Sequence, residues 1–486
     1  MSETVSSNAQ SSARIALAQG AQGPQSPAAR PESPAARPES DVSASVGLAG
    51  LLGLAVWVLF CRTYPLTAQT LGLPGPREVL SGPFAALLAM VFTAGPMALW
   101  SVLVDRVHRR PSTGIDWSLK RSVSEVLPVS IVKIAGLWAT WAALGALYCL
   151  GRWYWDGDYL FAMEVLAVAI VPLIALSIPY TIWLDRYLIE SRDGTWHFGA
   201  MLIGREAWEA EPIKKHWRAW IIKGFFSAFM ISILPGGFAI IVEAQPAEII
   251  TNPVELGMLL VTLLFMIDVQ IGTVGYLFTL RPLDAHIRSG NPFLAGWVAA
   301  LLCYPPFAWG VFGFGGVLNY EMNGAKWDYW MAGNEALLWV WAAWLVLLTA
   351  AYAWATFIFG IRFSNLTYRG VITNGPYRFT RHPAYVSKNL YWWCLTLPFL
   401  ATSGSIVDVV RNCFFLACVN AVYYWRARTE EAHLLAEDPK YREYHAWMEE
   451  NGLITAPLAR LKRRILSRGR PRADNAASPP EAEPAE

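Results

Sequence analysis

Charge is scarce in this chain. Asp, Glu, Lys and Arg make up only 16% of its 486 residues, while 55% are hydrophobic. Soluble domains carry roughly 25% charged residues, so an ordinary soluble body is excluded. Cysteine is scarce too. Cys61, Cys149, Cys303, Cys394, Cys413 and Cys418 all lie in or beside apolar runs, and none forms a CxxC pair. A disulfide framework and a cysteine-based metal site are thereby excluded, and the six read as small buried hydrophobes. No metal-ligand spacing occurs elsewhere. The N-terminus lacks a basic stretch leading directly into an apolar one, so it does not read as a signal peptide.

What the chain has instead is long apolar runs. An apolar stretch of about 20 residues spans a bilayer core as a helix. Ten runs qualify: 45–61, 83–104, 125–150, 159–183, 219–242, 255–280, 293–316, 336–360, 389–402 and 406–425, the first and ninth being short. The expected fold class is all-α, a polytopic helical membrane protein with about ten transmembrane helices. Lys and Arg favour cytoplasmic loops, and they alternate here. Arg106, Arg109, Arg110, Lys120 and Arg121 follow the second run. Arg186, Arg192, Arg205, Lys214, Lys215 and Arg218 follow the fourth, and Arg281 and Arg288 the sixth. Arg362, Arg369, Arg378, Arg381 and Lys388 follow the eighth, whereas 243–254 has no Lys or Arg. This pattern places both termini and all basic loops in the cytoplasm.

Four zones follow. Residues 1–42 are rich in Pro, Ser and Ala and cannot bury a core, so they are expected to be disordered. Residues 43–334 form an N-terminal helical body, and 335–455 a terminal membrane module. Residues 456–486 are basic and then disordered. In that tail Arg460, Lys462, Arg463, Arg464, Arg468 and Arg470 can attract anionic head groups. Residues 184–218 carry Trp196, Phe198, Ile203, Trp208 and Trp217 among charges, as an amphipathic interfacial helix would. Asp268 and Gln270 lie mid-span in the sixth run. An intramembrane carboxylate is costly, so Asp268 is either functional or a hydrogen-bonded link between helices, with Lys133 and Lys223 as candidate partners.

Two polar clusters stand out against this background. The first is Gly375-Pro-Tyr-Arg-Phe-Thr-Arg-His-Pro-Ala-Tyr385, between two apolar runs. Asn374-Gly375-Pro376 signals a turn, and Pro383 keeps His382 out of regular helix. The strip should therefore run extended before the ninth helix, as irregular backbone does where it lines a polar cavity. A plain basic loop with aromatic anchors would account for Arg378 and Lys388, but topology does not call for His382. The second cluster, Arg426-Ala-Arg-Thr-Glu-Glu431, ends the last apolar run. Arg426 and Glu430 could form a simple i,i+4 pair. Alternatively, the adjacent carboxylates would suit a ligand bearing hydroxyl or ammonium donors. Leu434, Leu435, Tyr441, Tyr444 and Trp447 follow at amphipathic spacing.

These residues carry a resemblance. Gly375-Pro-Tyr-x-x-x-Arg381-His-Pro-x-Tyr385, then Arg426-x-Arg-x-Glu430-Glu431-x-x-Leu434 and Tyr441-x-x-Tyr444, resemble the isoprenylcysteine carboxyl methyltransferase and phospholipid methyltransferase superfamily over about 365–450. The resemblance implies S-adenosylmethionine as cofactor. It assigns Tyr377, His382, Pro383, Tyr385, Glu430 and Glu431 to cofactor binding, and Arg381, Arg426 and Arg428 to the catalytic set. No metal site is implied. The sequence departs from the family at Ser387, where Gly is frequent and where Lys388 and Asn389 follow. It departs again at Asp438-Pro439, where Phe-Gly is common. These changes bear on the acceptor more than on the cofactor.

The function implied is an integral membrane methyltransferase acting on a lipid, isoprenoid or lipid-anchored carboxylate or amine at the cytoplasmic leaflet. The expected partners are that methyl acceptor and membrane lipids, with no nucleic acid. The expected location is a bacterial inner membrane. Two other classes compete. A transporter would use Asp268, Gln270 and the Pro235-Gly-Gly237 break, although the chain shows no internal repeat. A sterol-reductase-like membrane oxidoreductase would need a nicotinamide cofactor, and the Arg-His-Pro and Glu-Glu clusters favour S-adenosylmethionine over it.

Overall fold

The computed structural model describes residues 36–468 except 76, 205 and 314. Most of the tail expected at 1–42, Arg205, and the end of the basic run with Arg470 lie outside the described residues. The long helices are α1 (Ala44–Leu71), α2 (Pro83–Leu103), α3 (Val123–Gly151), α4 (Leu160–Asp185), α5 (Gly194–Ile203), α6 (Ala210–Glu243) and α7 (Pro253–Leu277). They are followed by the short α8 (Leu294–Leu301), then α9 (Glu335–Phe357), α10 (Pro383–Thr396), α11 (Ile406–Glu437), α12 (Pro439–Asn451) and α13 (Thr455–Arg468). The described strands are a single two-residue antiparallel pair, β1 (Ser289–Gly290) with β2 (Thr367–Tyr368). The fold is an all-α membrane fold.

Among the described residues, eight helices are long and apolar enough to cross a membrane, rather than ten. The two that fall short have local causes. Among the described residues of run 293–316 only eight are α-helical, because Pro305-Pro306 and the glycines at 310, 313, 315 and 316 follow; proline lacks the donor and glycine the preference that helix requires. The ninth helix starts at Pro383, six residues before the expected 389, because proline is suited to a first helical turn. It stops at Thr396, where Leu397 turns left-handed (φ 43°) before Pro398.

Both short segments still travel the length of α11, a 32-residue helix about 48 Å long. Ser289 and Asn291 bond His433 and Thr429 near one end, at 3.0 and 3.4 Å. Asn323 bonds Asp408 at the other, at 3.0 Å. His382 likewise meets Glu431, and Thr402 returns to the Asn323 carbonyl at 2.8 Å. The expected alternation of chain direction is thus kept by irregular backbone that runs alongside α11.

The segment expected to be an interfacial helix packs differently. Its α5 docks on α3, with Trp196, His197 and Phe198 buried. The approach is so close that a Cβ on Gly199 would lie 2.0 Å from the Val132 carbonyl oxygen. Lys133 does not reach Asp268; it pairs with Asp185 at 2.7 Å and Asp193 at 3.1 Å. Lys223 lies 3.9 Å from the Trp220 ring.

Candidate active site

The 375–382 strip is shaped by two local devices. Gly375 has φ +55°, and a Cβ there would meet Ile358 Cγ1 at 2.9 Å and Trp354 Nε1 at 3.1 Å. Only glycine fits a left-handed turn held that tightly against α9. A single 3-10 turn then covers Gly375–Arg378. His382 caps α10 in a non-helical conformation (φ −130°, ψ 57°), as Pro383 requires. The strip therefore delivers Arg381 and His382 to the start of α10, facing the end of α11.

There the two clusters meet. Arg381 Nε donates to Glu431 Oε1 at 2.6 Å, and His382 Nε2 lies 3.0 Å from the same oxygen. Arg428 also pairs with Glu431, whose side chain is only 3% exposed. The neighbouring carboxylate has its own partners: Tyr385 Oη donates to Glu430 Oε1 at 2.5 Å and Arg426 Nε at 3.1 Å. Arg426 is buried. Its guanidinium donates to Asn365 Oδ1 at 2.6 Å and lies 5.3 and 5.2 Å from the Tyr304 and Tyr385 ring centres. The His382 and Tyr385 rings stack at 5.6 Å. Tyr377 packs edge-on to Phe359 at 5.3 Å, and its carbonyl accepts from Tyr444 Oη at 2.7 Å. Burial and then the Arg381 guanidinium lower the pKa of His445, which is 4.0 Å from Glu431, and so favour its neutral form.

Two cavities flank this junction. The first, about 180 Å³, is lined by Tyr377, Glu430 and Arg426, and by Tyr304, Tyr352 and Lys388. The second, about 530 Å³, is lined by Arg428, Glu431, Asn389, Trp393, Asn420 and Lys462. Arg381, His382, Tyr385 and Tyr423 border both. Successive helical residues diverge by about 100°, so Glu430 serves one cavity and Glu431 the other. Of the nine residues singled out from sequence, eight line a cavity. Pro383 lines neither of the two and acts through the backbone.

Sequence reasoning missed several lining residues. Tyr423 precedes Arg426 by three, so helical spacing could have found it, whereas Lys388 was already singled out beside Ser387 as bearing on the acceptor. The Lys388 ammonium is 5.3–5.8 Å from the rings of Trp392, Tyr352 and Tyr423. Tyr304, Asn365 and Tyr352 come from other segments and carry no such signal. Asp268 is found beside this group, accepting from Tyr352 Oη at 2.9 Å and Thr356 Oγ1 at 2.6 Å.

One wall of the first cavity, at Val371, is held by the segment just before α1. Asp41 N donates to the Val371 carbonyl at 2.9 Å, and Val371 N to Asp41 Oδ2 at 2.6 Å. Lys440 Nζ reaches Asp41 Oδ1 at 2.7 Å. Burial would raise the Asp41 pKa, but the Lys440 and Val371 bonds hold it below the usual carboxylate value.

No curated protein and no solved structure matches this chain. Residues 336–436, which carry most of the site, match the model of the isoprenylcysteine carboxyl methyltransferase (ICMT) family, so this multi-pass membrane protein has a C-terminal region similar to membrane methyltransferases.

Proposed function

We propose that the protein is an S-adenosylmethionine-dependent methyltransferase of a bacterial inner membrane. It methylates a lipid, isoprenoid or lipid-anchored carboxylate or amine at the cytoplasmic leaflet. The observation that carries this reading is the convergence of Arg381, His382 and Arg428 on Glu431, within the region that matches the family.

The donor set suits the cofactor. Glu430 and Glu431 match hydroxyl and ammonium groups, and Tyr377 and Tyr385 offer aromatic walls. Arg381, which borders both cavities, has a buried Nη1 without a hydrogen-bond partner, its nearest paired carboxylate being Glu449 at 4.0 Å, and so keeps a donor for a ligand. Ligand pockets span roughly 300–1,000 Å³; the first cavity alone is smaller, but the two together fall in that range. S-adenosylmethionine supplies, when bound, an electrophilic methyl on a sulfonium.

The chain's own work is positioning, which can contribute about 7–11 kcal/mol in well-oriented cases. Arg381, His382 and Tyr385 border both cavities and so stand where two ligands meet. Arg426 and Lys388 bring positive charge to the first cavity, and Arg428 to the second, so either can steer an anionic acceptor group. A carboxylate acceptor needs no general base. For an amine acceptor, His382 takes the proton, and Glu431 at 3.0 Å stabilises the resulting imidazolium.

Calorimetric binding of S-adenosylmethionine to purified wild type, His382→Ala and Glu430→Ala tests the reading. Binding by wild type and its loss in both variants is expected. Unimpaired binding in both, or none in wild type, overturns it.

A further inference from the structure

The last helix, α13, has three distinct faces. Leu458, Leu461 and Ile465, with Ile454 just before the helix, recur at helical spacing and are 60%, 55%, 62% and 38% exposed. Lys462 lies beside them, and the exposed Arg460 and Arg463 lie farther round the helix. A third face, with Thr455 and Ala459, turns toward the second cavity, whose wall Leu458 and Lys462 complete. A water-exposed apolar stripe of four residues is unfavourable. A neutral protein partner would not account for the cations next to it.

The helix is also tied to the site. Ile454 N donates to the Phe379 carbonyl at 3.0 Å, and Thr455 Oγ1 lies 3.4 Å from Thr380 Oγ1. Phe379 is itself 37% exposed, next to the exposed Arg378. The patch thus continues from α13 onto the strip that presents Arg381 and His382. Apolar residues flanked by Lys and Arg are the pattern of a helix lying in a membrane interface, where each cation near an anionic surface adds attraction.

We infer that α13, with Phe379, docks on an anionic lipid surface and there forms the outer wall of the second cavity. Leu461 and Ile465 enter the acyl boundary, Arg460 and Arg463 meet the head-group phosphates, and Lys462 closes the cavity rim. This inference rests on the helix and the cavity alone and holds whatever chemistry the site performs.

The test is a nitroxide label at Leu461→Cys in the full-length protein, on a cysteine-free background, in nanodiscs. In phosphatidylcholine with phosphatidylglycerol, the label should collide severalfold more often with oxygen than with a water-soluble nickel chelate. That ratio should fall severalfold in phosphatidylcholine alone, and also in the Arg460→Glu/Lys462→Glu/Arg463→Glu variant. The single Lys462→Glu change should give part of the fall without endangering the fold. A water-like ratio in the anionic discs, or one unmoved by lipid charge and charge reversal, overturns the inference. S-adenosylmethionine binding by the same samples reports separately on the proposed function.

Discussion

Two buried charge clusters invite comparison. In the N-terminal body Lys133 meets Asp185 and Asp193, and Ser130 donates to Asp185 at 2.8 Å. In the C-terminal region Arg381, His382 and Arg428 meet Glu431, while Arg426 and Tyr385 meet Glu430. Both join segments far apart in sequence, and each buries one carboxylate almost completely, Asp185 in the first and Glu431 in the second. The first lines neither of the two cavities, and its charges are matched among themselves. The second lies between both cavities and leaves Arg381 Nη1 without a hydrogen-bond partner. A buried ion pair alone is weak evidence for either stability or function; access and unspent donors separate a site from a rivet.

The comparison can be broken most sharply at Glu431. Glu431→Ala strands Arg381 and removes the anchor of His382, a loss of about 3–5 kcal/mol for a buried pair. Cofactor binding and methyl transfer should vanish with it, as read by calorimetry and thermal unfolding. Lys133→Met should cost a similar 3–5 kcal/mol in thermal unfolding by stranding Asp185, yet leave S-adenosylmethionine affinity unchanged. If that affinity falls, the first cluster is no mere rivet. A finer probe is Tyr385→Phe, which keeps the ring but deletes the 2.5 Å bond to Glu430. A hydrogen bond to a charged group is worth about 1.5–3 kcal/mol, so cofactor affinity should weaken by a corresponding factor with little change in fold.

The smallest effect concerns His286. Burial, then the guanidinia of Arg281, Arg288, Arg369 and Arg362, press its pKa from 6.5 to about 3. The unfolded chain binds this proton more readily than the folded one. The stabilisation is therefore complete above pH 6.5 and declines as pH falls from 6.5 toward 3. The slope cannot exceed about 1.4 kcal/mol per pH unit for one group. His286→Gln should flatten the acid limb of a melting-temperature profile taken from pH 7 to pH 4.

Much of the site was legible because its chemistry is local. Pro383 keeps His382 out of regular helix, as expected, but the strip before it is not extended: Gly375–Arg378 closes into a 3-10 turn. Arg426 and Glu430 form the i,i+4 pair foreseen as the modest alternative, and they also line a cavity; the two roles coexist. Adjacent Glu430 and Glu431 read as a pair from sequence, but helical geometry sends them to separate cavities. Other features were hidden for a definable reason. The partners of Asp268 are 84 and 88 residues away on α9, and no periodicity links hydroxyls at that distance. Run 293–316 has the hydropathy of a membrane helix, but hydropathy does not weigh the Pro305-Pro306 pair, which stops it. Tyr304 reaches the site only because that helix is broken.

The tie between Asp41 and Val371 spans 330 positions of chain. Synthesis proceeds from the N-terminus, so the first membrane helix is made long before the strand-like partner that its leading edge clasps. Lys440, the third party to that clasp, emerges later still. The cavity wall can therefore be completed only once residue 440 has left the ribosome, so the membrane helices made before it must wait for the site to close.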